Sequence, residues 1–435
     1  MNTNIIHTGD CFDVLTELPD ESVHAVVSDP PYGLAFMGRD WDDFEPKEYQ
    51  EWCEKWAREC LRVLKPGGHM LAFSGNRTHH RLFTGVEDAG FEIRDTLTWH
   101  YGSGFPKASD ISKTIDKRAD AEREVVGIDE DFLARNPKSD HKNDYGEGSG
   151  DPSWKDGKKA AKVTAPATDA AKKWDGWKTG LKPSTEFVVM ARKPYDGATV
   201  DSVLEHGTGA LNIDACRVKT DENWPDEGKH ANREEAPDGS SFGSEDTSAL
   251  NVGVRSGSHE KGRYPSNLIF DELAAEQLDA DVGETKSPDP YTRAESTDTE
   301  KYGDGLGFAP EGKLSENYGD SGGPSRYFYT SKATKAERTL DGKIDNAHPT
   351  VKPRDLMQWL VKLVTAENQI VLDPFCGSGT TLRAAKDLNR QFIGIERQSK
   401  WADVARVRAG LTPDDPSIVR DDAGQSGLEA YEVSL

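Results

Sequence analysis

Ile370-Val371-Leu372-Asp373-Pro374-Phe375-Cys376-Gly377-Ser378-Gly379-Thr380-Thr381 is the stretch that decides the fold. A short β-forming apolar run meets an acidic residue, then a turn with two glycines, then a helical pattern that continues to Leu388. This is a strand feeding a helix through a tight loop, and open α/β sheets hold their ligands at the carboxyl ends of their strands. Gly377 and Gly379 remove side chains so that backbone can approach a ligand. Ser378 or Thr380 is placed to cap a helix whose N-terminus attracts a carboxylate. The third glycine of a dinucleotide fingerprint is missing, and Asp373 would repel a pyrophosphate, which disfavours NAD and FAD. A zwitterion with a carboxylate and an ammonium suits this turn better.

The order continues on both sides. A helical pattern over 356–364 and a strand over 369–372 precede the turn, and a strand over 392–395 and a helix over 402–409 follow the helix of 380–388. Glu396 ends the later strand about twenty residues on, where an acidic side chain can hydrogen-bond two ribose hydroxyls, so a nucleoside with a free ribose is implied.

The first hundred residues repeat the alternation, with strands expected at 5–8, 24–28, 70–74 and 93–99, and a fifth at 186–191. Cys53, Trp56, Ala57, Cys60, Leu61 and Leu64 recur at three-and-four spacing, an amphipathic helix ended by Pro66-Gly67-Gly68. Asp29-Pro30-Pro31-Tyr32 follows the apolar strand Ala25-Val26-Val27 directly. Two prolines stiffen that turn and remove two backbone donors. Asp29 and the Pro30 carbonyl are then acceptors for an exocyclic base amine, whose lone pair is delocalised until its geometry is pulled toward tetrahedral. Tyr32 offers an aromatic face for an extruded base, worth roughly 1–3 kcal/mol of stacking. The plainer reading of these four residues is a structural strand-to-loop turn.

Together these motifs resemble the S-adenosylmethionine-dependent DNA amino-methyltransferases of the permuted class, with the catalytic motif ahead of the cofactor motif. The resemblance implies a Rossmann-like α/β fold, a mostly parallel seven-stranded sheet that is circularly permuted, with a large inserted target-recognition region. It implies that Asp29, Pro30, Pro31 and Tyr32 hold the target base. It gives S-adenosylmethionine to Asp373, Pro374, Phe375, Gly377, Ser378, Gly379, Thr380 and Glu396. His348-Pro349-Thr350-Val351-Lys352-Pro353 resembles the segment that contacts the methionine part, pointing to Thr350 and Lys352, and Gly9-Asp10 resembles the one that lines the adenine, pointing to Asp10. No metal is needed, because a sulfonium already makes the methyl group electrophilic.

The expected divisions are a catalytic half over 1–106, a polar insertion over 107–182 with a mobile centre at 139–173, and a sheet strand within 183–194. A target-recognition insertion over 195–346, a cofactor half over 347–411 and a disordered acidic tail over 412–435 complete the chain. Within 195–346, Arg263, Tyr264, Arg326 and Tyr327 are candidates for DNA contact, with ordinary surface or core roles equally open. His79 and His80 read as part of a solvated basic face with Arg77 and Arg81.

Composition fits a soluble enzyme unevenly folded along its 435 residues, with 35% apolar residues and a mean hydropathy of -0.74. Neither a leader nor a membrane-spanning run is seen, so a cytoplasmic location is expected. Five scattered cysteines without a Cys-x-x-Cys pair argue against zinc and disulfides and for core packing. The net charge of -23 conflicts with a polyanionic partner. Residues 107–193 hold 18 basic against 16 acidic residues, a net of +2 that leaves -25 for the rest, so this stretch is the better candidate for meeting phosphate. A host living in concentrated salt would reconcile the rest with DNA.

Asp at the first motif position resembles enzymes acting on adenine, whereas many acting on the cytosine amine carry Ser. Adenine in double-stranded DNA is the favoured substrate and cytosine the alternative. RNA or protein methylation, or a non-catalytic DNA-binding regulator, ranks lower. The resemblance adds a homodimer and a separate restriction nuclease as candidate partners.

Overall fold

A computed structural model describes residues 1–34, 42, 44–104, 108–130, 162–219, 262–286, 291–292, 314–315, 321–331, 337, 339–340, 342–344, 346 and 351–419. The chain divides into two compact units, Met1–Ser103 with Ser184–Leu435, and Gly104–Pro183.

The first unit is built on one sheet. Its strands in chain order are β1 (Ile5–Thr8), β2 (Val23–Ser28), β3 (Leu64–Ser74), β4 (Glu92–His100), β5 (Thr185–Arg192), β6 (Leu268–Asp271), β7 (Tyr329–Ser331), β8 (Ile370–Asp373) and β9 (Gln391–Glu396). They lie in the order β1-β9-β8-β2-β3-β5-β4-β6-β7. Only β5 runs antiparallel to its neighbours. β9 and β8, from the end of the chain, are inserted between β1 and β2, from its beginning. The permuted order of the motifs is thereby a physical interleaving.

The expected seven strands are nine. The apolar run Leu268-Ile269-Phe270 adds β6 alongside β4, with Ile269 fully buried, and β7 pairs with β6 in turn. An uncovered β4 would leave a row of unpaired backbone groups at the sheet edge, and the 195–346 insertion supplies the cover. The third strand also starts earlier than its apolar run, at Leu64, with a register shift between Val23 and Ala25.

Alternation places Ala25 and Val27 of β2 on one face and Val26 on the other, and the register shift after Val23 puts Val23 on the face of Val26. Helices α1 (Cys11–Glu17), α2 (Pro46–Val63) and α3 (His79–Asp88) cover the second face. On the first face lie α8 (Arg354–Val364), α9 (Thr380–Asp387) and α10 (Ser399–Arg408), which follow two further helices, α6 (Thr199–His206) and α7 (Glu272–Val282). Cys53 and Cys60 are fully buried in α2 on either side of the equally buried Trp56 and Ala57, as core packing requires.

The second unit holds α4 (Ile111–Arg118), an antiparallel pair of Val125–Ile128 with Lys162–Thr164, and α5 (Asp169–Lys173). The buried Asp116 ties it together, accepting from Arg123 Nη1 at 2.6 Å, Ala167 N at 2.9 Å and Thr168 N at 3.0 Å. The expectation of a mobile segment over 139–173 is therefore corrected at 162–173, which these bonds fix, while 139–161 lies outside the described residues. The tail is corrected similarly. Asp403 accepts from the backbone of Asp414 at 2.7 Å and Asp415 at 3.2 Å, and Val419 is fully buried against Ile344, Val404 and Val407. Residues 420–435 lie outside the described ones.

Candidate active site

β2 and β8 are parallel neighbours, with Leu372 opposite Val26, so the turns that leave them start side by side. Ser28 Oγ donates to Asp373 Oδ1 at 2.6 Å and joins the two. Beyond them opens a cleft lined from one side by Asp29, Val351 and Lys352 and from the other by Asp373, Phe375, Gly377, Ser378 and Thr380.

The Asp29 turn is held from below. Pro30 is buried, the Tyr49 hydroxyl donates to the Pro31 carbonyl at 2.8 Å, and Asp42 accepts from Gly33 N at 2.6 Å and Leu34 N at 3.1 Å. Tyr32 Oη lies 2.9 Å from Asp29 Oδ1 and equally 2.9 Å from Glu186 Oε2 at the start of β5. Lys352 Nζ donates to Asp29 Oδ2 at 2.5 Å and to Tyr32 Oη at 3.2 Å, and pairs with Glu186 Oε2 at 3.4 Å. Burial pushes the Tyr32 hydroxyl well above its usual value, with both carboxylates adding to the effect, so it keeps its proton and donates. Burial alone would lower the Lys352 ammonium, but the two carboxylates raise it and keep it charged.

On the other side, Asp373 is 2% exposed and accepts from Ser28 and, at 3.1 Å, from Phe375 N. Burial pushes its carboxyl up to about 6 despite these bonds. No ammonium or guanidinium is paired with it among the described residues. Phe375 packs its ring 5.3 Å from both Trp52 and Trp56, while Pro374 is buried. Gly377 and Gly379 both have positive φ, at 51° and 80°. A Cβ on Gly379 would stand 2.8 Å from the Ala405 Cβ, so the turn fits only without one.

The cap differs from expectation. Gly379 occupies the N-cap of α9 and no side chain caps it. Ser378 and Thr380 are taken instead by the buried Arg408, whose Nη1 donates to Ser378 O at 2.8 Å, Ser378 Oγ at 2.9 Å and Thr380 Oγ1 at 3.0 Å. The uncapped start of α9 lines the cleft at Thr380 and Thr381, and an arginine thirty residues away in sequence sets the loop.

Glu396 and Asp10 stand at the ends of β9 and β1, which pair Thr8 with Glu396, but neither lines the cleft. Glu396 accepts from Gln398 N at 2.8 Å, and burial raises its carboxyl while the Gln398, Gly377 and Arg397 amides counter this. Asp10 caps α1 by accepting from Phe12 N at 3.0 Å. Thr350 lies outside the described residues.

Glu186 and Arg408 were not singled out in the sequence. Glu186 opens an apolar strand and Arg408 ends an amphipathic helix, positions where a charge is ordinary. The two candidate arginines of the insertion are engaged internally: Arg263 is 8% exposed over the Tyr327 ring, and Arg326 donates to the carbonyls of Gly322 at 2.7 Å and Gly323 at 3.0 Å. Tyr264 stays exposed. His79 stacks on Phe187 with centroids 4.3 Å apart, so it belongs to an aromatic stack more than to a solvated face.

Fold and cleft define a Rossmann-like methyltransferase-type α/β enzyme with its site at a shared strand edge. Residues 23–406 match the DNA methylase family of the N6 and N4 type, and the chain belongs to it. It is thus a DNA methyltransferase, and S-adenosylmethionine is its cofactor. It is 24% identical over 446 residues to the type II methyltransferase M.HindIII of Haemophilus influenzae, spanning 93% of this chain and 95% of that one. It is 45% identical over 89 residues, 20% of this chain and 25% of the other, to M.HinfI of Haemophilus influenzae. Among solved structures, the cytosine-N4-specific PvuII DNA methyltransferase superposes with a TM-score of 0.43 at 14% identity, covering 94% of this chain and 86% of that one.

The residues present fit the cofactor. A buried carboxylate without a cationic partner among the described residues, Asp373, suits a ligand bearing ammonium and sulfonium, and an uncapped helix N-terminus at the cleft suits its carboxylate.

Proposed function

We propose that this chain methylates the exocyclic amine of adenine in double-stranded DNA, at a specific sequence. The observation that carries the reading is Asp29, a carboxylate at the first position of the motif, lining the same cleft as Asp373. When bound, S-adenosylmethionine supplies an electrophilic methyl group. Asp29 and the Pro30 carbonyl accept the two N–H groups of the amine and draw its lone pair out of the ring. Tyr32 flanks the base, which must be turned out of the duplex to reach the cleft. Asp373, Phe375, the residues 377–380 turn, Glu396, Asp10 and Thr350 form the cofactor side, and the Asp29 side, with Lys352 paired to it, orients the amine and excludes water.

Site specificity follows from likeness to M.HindIII, and residues 195–346 are the place for it. A partner nuclease and a homodimer belong to the same reading. The face of the second unit over 162–183 adds DNA contact: it carries five lysines against two aspartates, and Trp174 and Trp177 stand 38% and 61% exposed. The surplus acidity elsewhere reflects a salt-rich host, and an activity optimum near ordinary salt with inactivation at molar KCl would refute that. No helix among the described residues is long and apolar enough to cross a membrane, and the proposed location is the cytoplasm.

The test is transfer of labelled methyl groups to genomic DNA across a salt series, with product digested to nucleosides and Asp29→Ala alongside. N6-methyladenosine that vanishes in the variant supports the reading. Label on the cytosine amine moves the assignment to cytosine, and no label at any salt defeats it.

A further inference from the structure

We propose that Glu186 is a positioning residue of the active site whose carboxylate balances Lys352, so that Asp29 keeps its negative charge for the target amine. This rests on the amine methylation proposed above and deepens it.

The argument is one of charge. Lys352 Nζ lies 2.5 Å from Asp29 Oδ2, with the two side chains 8% and 16% exposed. An ammonium that close would leave Asp29 and Lys352 with no net charge, and a neutral pair has little power to stabilise a cation. In the transfer the amine lone pair forms the new N–C bond, and the C–S bond breaks with its electrons left on sulfur. The nitrogen then carries positive charge until its proton leaves to solvent. A site that has cancelled its own carboxylate cannot favour that charge.

Glu186 changes the sum. Its Oε2 is 3.4 Å from the same ammonium, and its side chain is 19% exposed. Two carboxylates and one ammonium leave a single net negative charge in a nearly dry cluster, where electrostatic interactions act most strongly. The Tyr32 hydroxyl bridges the two carboxylates at 2.9 Å each and takes a bond from Lys352 at 3.2 Å, so the cluster is tied through one atom. Glu186 reaches it from β5, the antiparallel strand, and does not itself line the cleft. It acts through Lys352 and Tyr32, while Asp29 meets the amine.

The experiment compares wild type, Glu186→Gln, Lys352→Met and the double variant. It measures kcat and KM on DNA and, by calorimetry, the ratio of affinities for cationic S-adenosylmethionine and neutral S-adenosylhomocysteine. Glu186→Gln lowers kcat on the order of 10- to 100-fold with KM for DNA within a few-fold, and weakens the preference for the sulfonium by about 10-fold. Adding Lys352→Met, which again leaves Asp29 as the net charge, restores both quantities to within a few-fold of wild type. A double variant no better than Glu186→Gln overturns the proposal, as does a Glu186→Gln protein with unchanged kcat and ratio. If Glu186→Gln alone fails to fold, the double variant decides, because it removes both charges together and must retain activity. A wild type that methylates no DNA defeats the functional reading instead, and the affinity ratio still reports the charge of the cluster.

Discussion

Asp29 and Asp373 end neighbouring parallel strands, line one cleft and are joined through Ser28, yet their electrostatic settings are opposite. Asp29 has an ammonium at 2.5 Å and a tyrosine hydroxyl at 2.9 Å. Asp373 has only hydroxyl and amide donors among the described residues, and burial carries its carboxyl up to about 6. One acid is compensated by the protein, and the other is left for a cationic ligand to compensate. The difference teaches how one sheet edge can serve two chemistries, since the strands fix position while the residues arriving from elsewhere fix charge.

The largest effect should come from Asp29. Asp29→Ala removes the acceptor of the amine and is expected to lower kcat by about 1,000-fold or more, while S-adenosylmethionine affinity falls by no more than about 10-fold. Equal losses in both would mean that the two sides of the cleft are one site without division of labour. Gly379→Ala attacks the other turn, forcing a Cβ into positive φ and against Ala405. It should destabilise the fold by about 2–4 kcal/mol in chemical denaturation and abolish cofactor binding, leaving the Asp29 turn intact.

The pH behaviour of Asp373 sharpens the contrast further. Its value of about 6 lies above the ordinary 3.8, so the group favours folding below about 4 and that contribution is lost as pH rises through about 6. A cationic ligand prefers the ionised form, so affinity for S-adenosylmethionine should fall by up to about tenfold per pH unit below 6. Binding at pH 6 should release protons, seen as a dependence of calorimetric heat on the buffer. Asp373→Asn should flatten the profile, and a profile unchanged by that substitution would mean another group is responsible. The smallest effect is expected in the second unit. Trp177→Ala should weaken DNA binding by about fivefold without touching cofactor affinity, and unchanged DNA affinity would remove 162–183 from the interface.

Local chemistry made much of this legible. The apolar runs at Val23–Ser28, Thr185–Arg192, Ile370–Asp373 and Gln391–Glu396 are strands because each is β-forming and bounded by turn residues, and the permuted order was visible in the motifs themselves. The sheet's extra edge was less legible, because Leu268–Asp271 and Tyr329–Ser331 are too short to stand out from a polar background. Residues 162–173 and 412–419 read as loose because their composition is polar, yet buried carboxylates at Asp116 and Asp403 organise them through backbone amides. Such bonds carry no periodic signature.

The sequence by itself determined which strands exist, where the two turns fall, and that each begins with an aspartate and needs either proline stiffness or glycine freedom. Those are properties of a few adjacent residues. Only the tertiary structure decided that Lys352 and Glu186 converge on Asp29 while Asp373 has no cation among the described residues, and that Arg408, rather than a helix cap, holds Ser378 and Thr380. The reason is physical. A charge acts through distance and burial, and residues 323 positions apart become neighbours only once the ends of the chain are interleaved in one sheet.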